Sequence, residues 1–157
     1  MPNAYIKQAT INDLNSLIQF GYKLYLIEKQ FEHNLIFSKK KAKKNYSQQI
    51  QKPNTLFLIS YLNKKPVGYL YAHIDKLDYL SKNKKECEIE VIYLETKIRG
   101  TGLAQKMIQE CLTWAKTKKC FRIKAGIYTK NIISQKLFSK VEFQPYHTTY
   151  LLKTNKK

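Results

Sequence analysis

Cysteine is scarce in this chain of 157 residues: Cys87, Cys111 and Cys120 are an odd number, with no CxxC pair and no His/Cys cluster. A disulfide framework and a structural zinc site are therefore not expected, and the three read as reduced thiols. Cys111 falls on the apolar face of a helical pattern, where it serves packing. Arginine is scarcer still, limited to Arg99 and Arg122. Long apolar runs are missing, and none approaches the roughly 20 residues of a membrane span. The start, MPNAYIKQAT, lacks the charged and apolar segments of a signal peptide. A cytoplasmic protein without a membrane partner is expected.

Acidic residues are few as well. Eleven Asp and Glu face 29 Lys and Arg, giving a net charge of +18. Such a field attracts polyanions: nucleic acid, acidic protein surfaces, anionic lipid or phosphorylated cofactors. The excess is nearly all lysine, spread along the chain with abundant Asn, Ile and Tyr, the imprint of an AT-rich coding bias. Direct reading of bases would call for more arginine, so nucleic acid is the lesser expectation. The lysine-rich stretch 38–51 is the part that favours it.

What is present is the composition of a folded domain, with 43% apolar residues and 13% aromatic. The length gives room for one domain, 1–157, with one core and a flexible tail over 153–157. Strand and helix signals alternate. AYIKQAT is a short strand. A helix follows, started by Thr10 or Asn12, with apolar residues from Leu14 to Ile27 at helical spacing. SKKKAKKNYSQQIQ is a basic helix. TLFLISYL and VGYLYAHI are strands joined by the turn NKKP. ECEIEVIYL alternates Glu88, Glu90, Ile92 and Leu94 on one face with Cys87, Ile89, Val91 and Tyr93 on the other. Leu103, Ala104, Met107, Ile108, Cys111, Leu112 and Ala115 form the clearest amphipathic helix. CFRIKAGIYT, NIISQKLFSKV and YHTTYLLK read as strand, helix and closing strand. The sum is an α/β domain with a mixed sheet covered by helices.

Two of the five glycines sit in RGTGLA, between a strand and the amphipathic helix. A helix N-terminus presents free N–H groups and the positive end of its dipole. Glycines before it permit positive φ and leave room for a ligand, so successive N–H groups converge on a phosphate. The lysine of a Walker loop is absent. The dinucleotide pattern GxGxxG also fails, because Gln105 stands in its third place. By itself the stretch is either a cradle or a plain turn.

Its context is more specific. Arg99-x-x-Gly102-x-Ala104 follows a strand and opens an amphipathic helix, and after the next strand comes Asn131 with Leu137-Phe138 on a second helix. This resembles the GNAT superfamily of acyl-CoA N-acyltransferases, over almost the whole chain. The resemblance implies a mixed, mostly antiparallel sheet of six to seven strands, splayed between the fourth and fifth, with about four helices. It implies acetyl-CoA as co-substrate, no metal, and an amine acceptor on a small molecule or protein. Backbone groups of Arg99, Gly100, Thr101, Gly102, Leu103 and Ala104 would hold the pyrophosphate. Ile92, Tyr93 and Leu94 would meet the pantetheine arm, with Asn131 and Phe138 nearby. Asn131 also suits a helix N-cap. A homodimer is possible within this class.

Attack of an amine on a thioester needs a group to take the amine's proton. Glu88 and Glu90 are the candidates, with surface charge balance as the plainer role for both. The acid that the resemblance implies is a tyrosine, and Phe138 stands in its place, so Tyr128, Tyr146 or water would have to serve. That departure keeps open a CoA-binding module with weak or no catalysis. Glu28, Glu32 and His33 are candidate acceptor contacts, with Asp75 and Asp78 on a possible rim. His73 and His147 lie in strand patterns and read as structural.

Overall fold

The computed structural model describes residues 3–77 and 84–154. Asp78 and the last residues of the tail, 155–157, lie outside the described residues. Five strands form one sheet: β1 (Ala4–Gln8), β2 (Thr55–Leu62), β3 (Lys65–Lys76), β4 (Lys85–Leu94) and β5 (Arg122–Ala125). They lie in sequence order across the sheet. The first three pairings are antiparallel and β4–β5 is parallel. Four helices cover the sheet: α1 (Leu14–Glu28), α2 (Lys39–Gln49), α3 (Leu103–Thr117) and α4 (Ile132–Lys140). No helix among the described residues is long and apolar enough to cross a membrane.

The strands β2 and β3 are apolar on both faces because helices bury both. Leu58, Leu70, Ala72, Cys87 and Ile89 pack with Met107, Ile108 and Cys111 of α3 and Phe138 of α4. On the other face Phe57, Ile59, Tyr69 and Tyr93 pack with Leu17 and Phe20 of α1, and Tyr46 of α2 reaches in beside them. Met107 and Ile108 have no exposed surface, and burial of each such side chain is worth about 1.5–3 kcal/mol. Asn63 and Lys64, both at positive φ, make the two-residue turn of the β2–β3 hairpin, where that geometry follows the sheet's twist.

Local chemistry sets the helix starts. Thr10 precedes a 3-10 turn over Ile11–Asp13, and its N–H donates to Asp13 Oδ2 at 2.8 Å. Asp13 is buried and also accepts from the Tyr61 hydroxyl at 2.5 Å. Burial works to raise its pKa, but the bonds from Tyr61, the Thr10 N–H and Lys7 outweigh that and hold the carboxyl below its usual range. Ser38 caps α2, accepting from the Lys41 N–H.

Two expectations are corrected. Among the described residues the strand count is five rather than six to seven. YHTTYLLK is outside helix and strand, and Tyr146, Tyr150, Leu151 and Leu152 are 76–94% exposed. A strand pattern becomes a strand only against a neighbour, and among the described residues no strand pairs with this segment. The alternation read along β4 also fails. Tyr71 pairs with Val91 while Ala72 pairs with Ile89, so Glu90 is an extra residue in the ladder. This bulge shifts the phase. Ile92 and Leu94 join Cys87 and Ile89 on the α3 face, and Val91 and Tyr93 turn to the α1 face.

Candidate functional site

The parallel pairing of β4 with β5 runs from Glu86↔Arg122 to Ile89↔Ala125 and stops. β4 continues to Leu94 with no strand partner on that edge among the described residues, while Gly126, Ile127 and Tyr128 lead on toward α4. A cleft opens between them. Its walls are Ile89, Glu90, Val91 and Ile92 on one side and Ala125, Gly126, Ile127 and Tyr128 on the other; Asn131, Ser134 and Phe138 of the α4 region and Leu24 and Glu28 of α1 complete it.

Beyond the end of β4 the chain makes a 3-10 turn over Thr96–Ile98 and enters the glycine stretch. Gly100 and Gly102 have φ of 81° and 84°, a region costly to residues with a Cβ. Gly102 is the N-cap of α3 and the first bond of that helix runs from the Lys106 N–H to its carbonyl. The N–H groups of Gly102, Leu103, Ala104 and Gln105 therefore precede the helical ladder, and no acceptor meets them among the described residues. A Cβ on Gly100 would meet nothing within 4 Å, and one on Gly102 only Gln105 Oε1 at 3.8 Å. The space above both glycines is open. Packing within the chain does not demand their small size.

Arg99 is committed elsewhere. Its N–H donates to the Thr96 carbonyl, and its Nε donates to the Leu94 carbonyl at 3.1 Å. The side chain ties the glycine stretch to the end of β4. The Thr101 hydroxyl donates to the Ile98 carbonyl. Of the expected stretch 99–104, the Arg99 N–H is taken, and no acceptor among the described residues meets the N–H groups of residues 100–104.

Of the expected catalytic, cofactor and acceptor residues, the cleft gathers Glu90 and Tyr128, then Ile92, Asn131 and Phe138, and Glu28. Asn131 caps α4, its Oδ1 accepting from the Ser134 N–H at 3.1 Å, and faces the cleft as well. Phe138 is 4% exposed and meets Phe143 edge-on. Tyr128 stacks on Phe31 with centroids 5.5 Å apart. Its pKa is raised by burial and then by the fields of Glu28 and Glu32, so its hydroxyl keeps its proton at neutral pH. Glu28 is half-buried, and burial raises its pKa. Its place at the negative end of the α1 dipole acts in the same direction. No described residue hydrogen-bonds or pairs with its carboxylate.

The remaining candidates lie outside the cleft. Glu88 pairs with Lys124 at 3.1 Å. Glu32 Oε1 accepts from the Asn34 N–H, and His33 is exposed. Tyr93 and Leu94 are buried at the end of β4. No group of three or more His, Cys, Asp or Glu side chains among the described residues is placed to hold a metal ion. Leu24, Ile127 and Ser134 were not anticipated, since they meet the cleft only through the packing of three separate elements. The bulge at Glu90 did leave a trace: Ile89 and Ile92 are three residues apart where an unbroken strand places same-face residues two or four apart.

Comparison with known proteins agrees with this architecture. The Acetyltransferase (GNAT) family model matches residues 21–143. A curated relative, an uncharacterized N-acetyltransferase of Methanocaldococcus jannaschii, is 22% identical over 130 residues, which are 82% of this chain and 56% of that protein. The chain thus spans little more than half the length of that relative. Among solved structures, a predicted acetyltransferase of Clostridium acetobutylicum with acetyl-CoA superposes with a TM-score of 0.80 at 18% identity, covering 96% of each chain. The aminoglycoside 6'-N-acetyltransferase AAC(6')-IG of Acinetobacter haemolyticus gives 0.77 at 19% identity, covering 98% of this chain and 99% of that one. At these identities the structural likeness is one of fold.

Proposed function

This chain belongs to the GNAT acetyltransferase family, and from that premise we propose that it transfers an acetyl group from acetyl-CoA to a primary amine of a small molecule or protein. The observation that carries the reading is the cleft between β4 and β5 together with the free N–H groups beyond the end of β4. The fit is specific. Gly102, Leu103 and Ala104 offer their donors and a helix dipole to an anion, under open space that a Cβ would reduce. The unpaired edge of β4 from Glu90 to Leu94 offers backbone groups to an extended amide-bearing arm. A backbone N–H there also serves as the donor to the thioester oxygen as charge develops on it, a contribution of about 3 kcal/mol.

The acyl donor supplies a carbonyl carbon attached to a thiolate leaving group. The chain's own residues receive and orient the amine. Glu28 and Glu90 give the cleft two carboxylates within a molecule of net charge +18, which suits a cationic amine. Tyr128, stacked on Phe31, adds an aromatic wall. Tyr128 keeps its proton and can hand it to the departing thiolate, the task that Phe138 has no hydroxyl to perform.

Calorimetry with acetyl-CoA and thiol release over a panel of amines test this together. Micromolar binding with amine-dependent release supports a transferase. Binding without release would select the second reading, a CoA-binding module without catalysis, which Phe138 in the cleft wall favours. Absence of binding refutes both.

A further inference from the structure

His73 sits between two carboxylates. Its Nε2 lies 2.9 Å from Asp75 Oδ2, and its Nδ1 lies 3.5 Å from Glu90 Oε1. An ionised carboxylate only accepts, so the hydrogen of a neutral ring belongs on Nε2, and Nδ1 is left as an acceptor. Across from it is Glu90, also an acceptor when ionised. Nδ1 is buried and meets no hydrogen-bond partner among the described residues. A buried polar atom left in that state is costly. The mismatch disappears when one proton lies between them, on Glu90 Oε1 or on Nδ1, for then one atom donates and the other accepts.

The bulge explains the geometry. Lifted out of the β3–β4 ladder, Glu90 lines the cleft on one side and meets His73 on the other. Asp75 continues the line outward, with 64% of its side chain exposed. Three other groups face His73. Glu88 is opposite on β4 and engaged by Lys124, Thr55 is opposite on β2 without charge, and Tyr71 approaches with its ring.

We propose that Glu90, His73 and Asp75 form a proton relay from the cleft to solvent, serving the removal of the acceptor amine's proton. It rests on the transferase reading. The amine nitrogen forms the bond to the acyl carbon, the carbon–sulfur bond breaks, and its electron pair leaves on the thiolate, which takes a proton from Tyr128 or water. The nitrogen's proton passes to Glu90. It moves from Glu90 to Nδ1 of His73 as the Nε2 proton passes to Asp75 and then to water. The ring finishes neutral, as its other tautomer, and resets through solvent. In the occupied cleft, where acyl donor and acceptor cover Glu90, this is its way out. Glu90 touches the amine. His73 and Asp75 are positioning residues that act through it.

The test uses thiol release with acetyl-CoA and n-butylamine, spermidine or neamine, in H₂O and D₂O, on the wild type, His73→Gln and Asp75→Asn. We expect His73→Gln to lower kcat by about 10- to 100-fold, with an unchanged KM for acetyl-CoA, a larger solvent isotope effect and partial rescue by free imidazole. Asp75→Asn should move kcat and the isotope effect in the same direction by less. A folded His73→Gln with unchanged kcat and isotope effect overturns the relay and leaves the transferase reading standing. So does a loss of rate with an unchanged isotope effect and no imidazole rescue. Should His73→Gln not fold, the exposed Asp75 decides alone: unchanged kcat and isotope effect in Asp75→Asn overturn the relay. A wild type that fails to bind acetyl-CoA, or binds it and acetylates none of the amines, refutes the transferase and the relay with it.

Discussion

Replacing Gly102 with alanine separates the two things this glycine does. Its φ of 84° lies where an L-residue costs about 1–2 kcal/mol. The added methyl meets nothing in the chain nearer than Gln105 Oε1 at 3.8 Å, so no packing penalty adds to that. For a domain of this size each kcal/mol moves Tm by about 2–4 °C, and the apo protein should melt about 2–8 °C lower. Binding should suffer separately, because the methyl occupies open space beside the free N–H groups of Gly102, Leu103 and Ala104. A hydrogen bond to a charged group is worth about 1.5–3 kcal/mol. Loss of one such bond weakens CoA by a factor of about 10 to 150. Gly100→Ala carries the same strain, at φ of 81° and with nothing near its Cβ, and should lower Tm alike with a smaller loss of affinity. Scanning calorimetry of the apo variants and titration calorimetry with CoA measure the two effects. If Gly102→Ala lowers Tm but binds CoA within twofold of wild type, the stretch is a turn and the cradle is refuted.

Glu28→Gln should reduce the turnover of a cationic amine, read as a higher KM for the amine in the thiol-release assay. It should also raise the apo Tm at neutral pH. A carboxyl whose pKa is raised in the fold favours folding below its unfolded pKa and loses that contribution as pH rises through the folded one, so glutamine removes a penalty present at pH 7. Gly68→Ala should be severe. A Cβ there would lie 2.3 Å from the Tyr93 carbonyl oxygen and 2.4 Å from Leu94 Cδ2; forcing β3 from β4 costs about 1–3 kcal/mol or more, visible in chemical denaturation. Asp13→Asn should cost about 1–2 kcal/mol at pH 7. Its lowered pKa means that the wild-type advantage is present above the unfolded carboxyl value of about 3.9 and fades as pH falls through the folded value. Melting curves of both proteins should therefore converge in acid, and a constant gap down to pH 2 would contradict the assignment.

Much of the chain was legible beforehand because its signals are local. The buried stripe of α3, the glycines at its start and the Asn131 cap each depend on a few neighbouring residues, and each stands where the sequence puts it. The missing outer strands were not legible. YHTTYLLK has strand composition, but a strand is made by its partner, and composition carries no information about one.

The sequence by itself determined the class of fold, the family resemblance and the place of the glycine turn before α3, because periodicity, capping and glycine spacing are properties of a continuous stretch. Tertiary structure decided which groups meet. It stopped β5 at Ala125 and so opened the cleft, bound Arg99 to the end of β4, and paired Glu88 with Lys124. It brought Glu28 from α1 to the same cavity as Glu90. The bulge at Glu90 turned a residue of the ladder into a link between that cavity and His73. These are meetings of residues far apart in the chain, fixed by strand register and helix packing, and a linear pattern does not contain them.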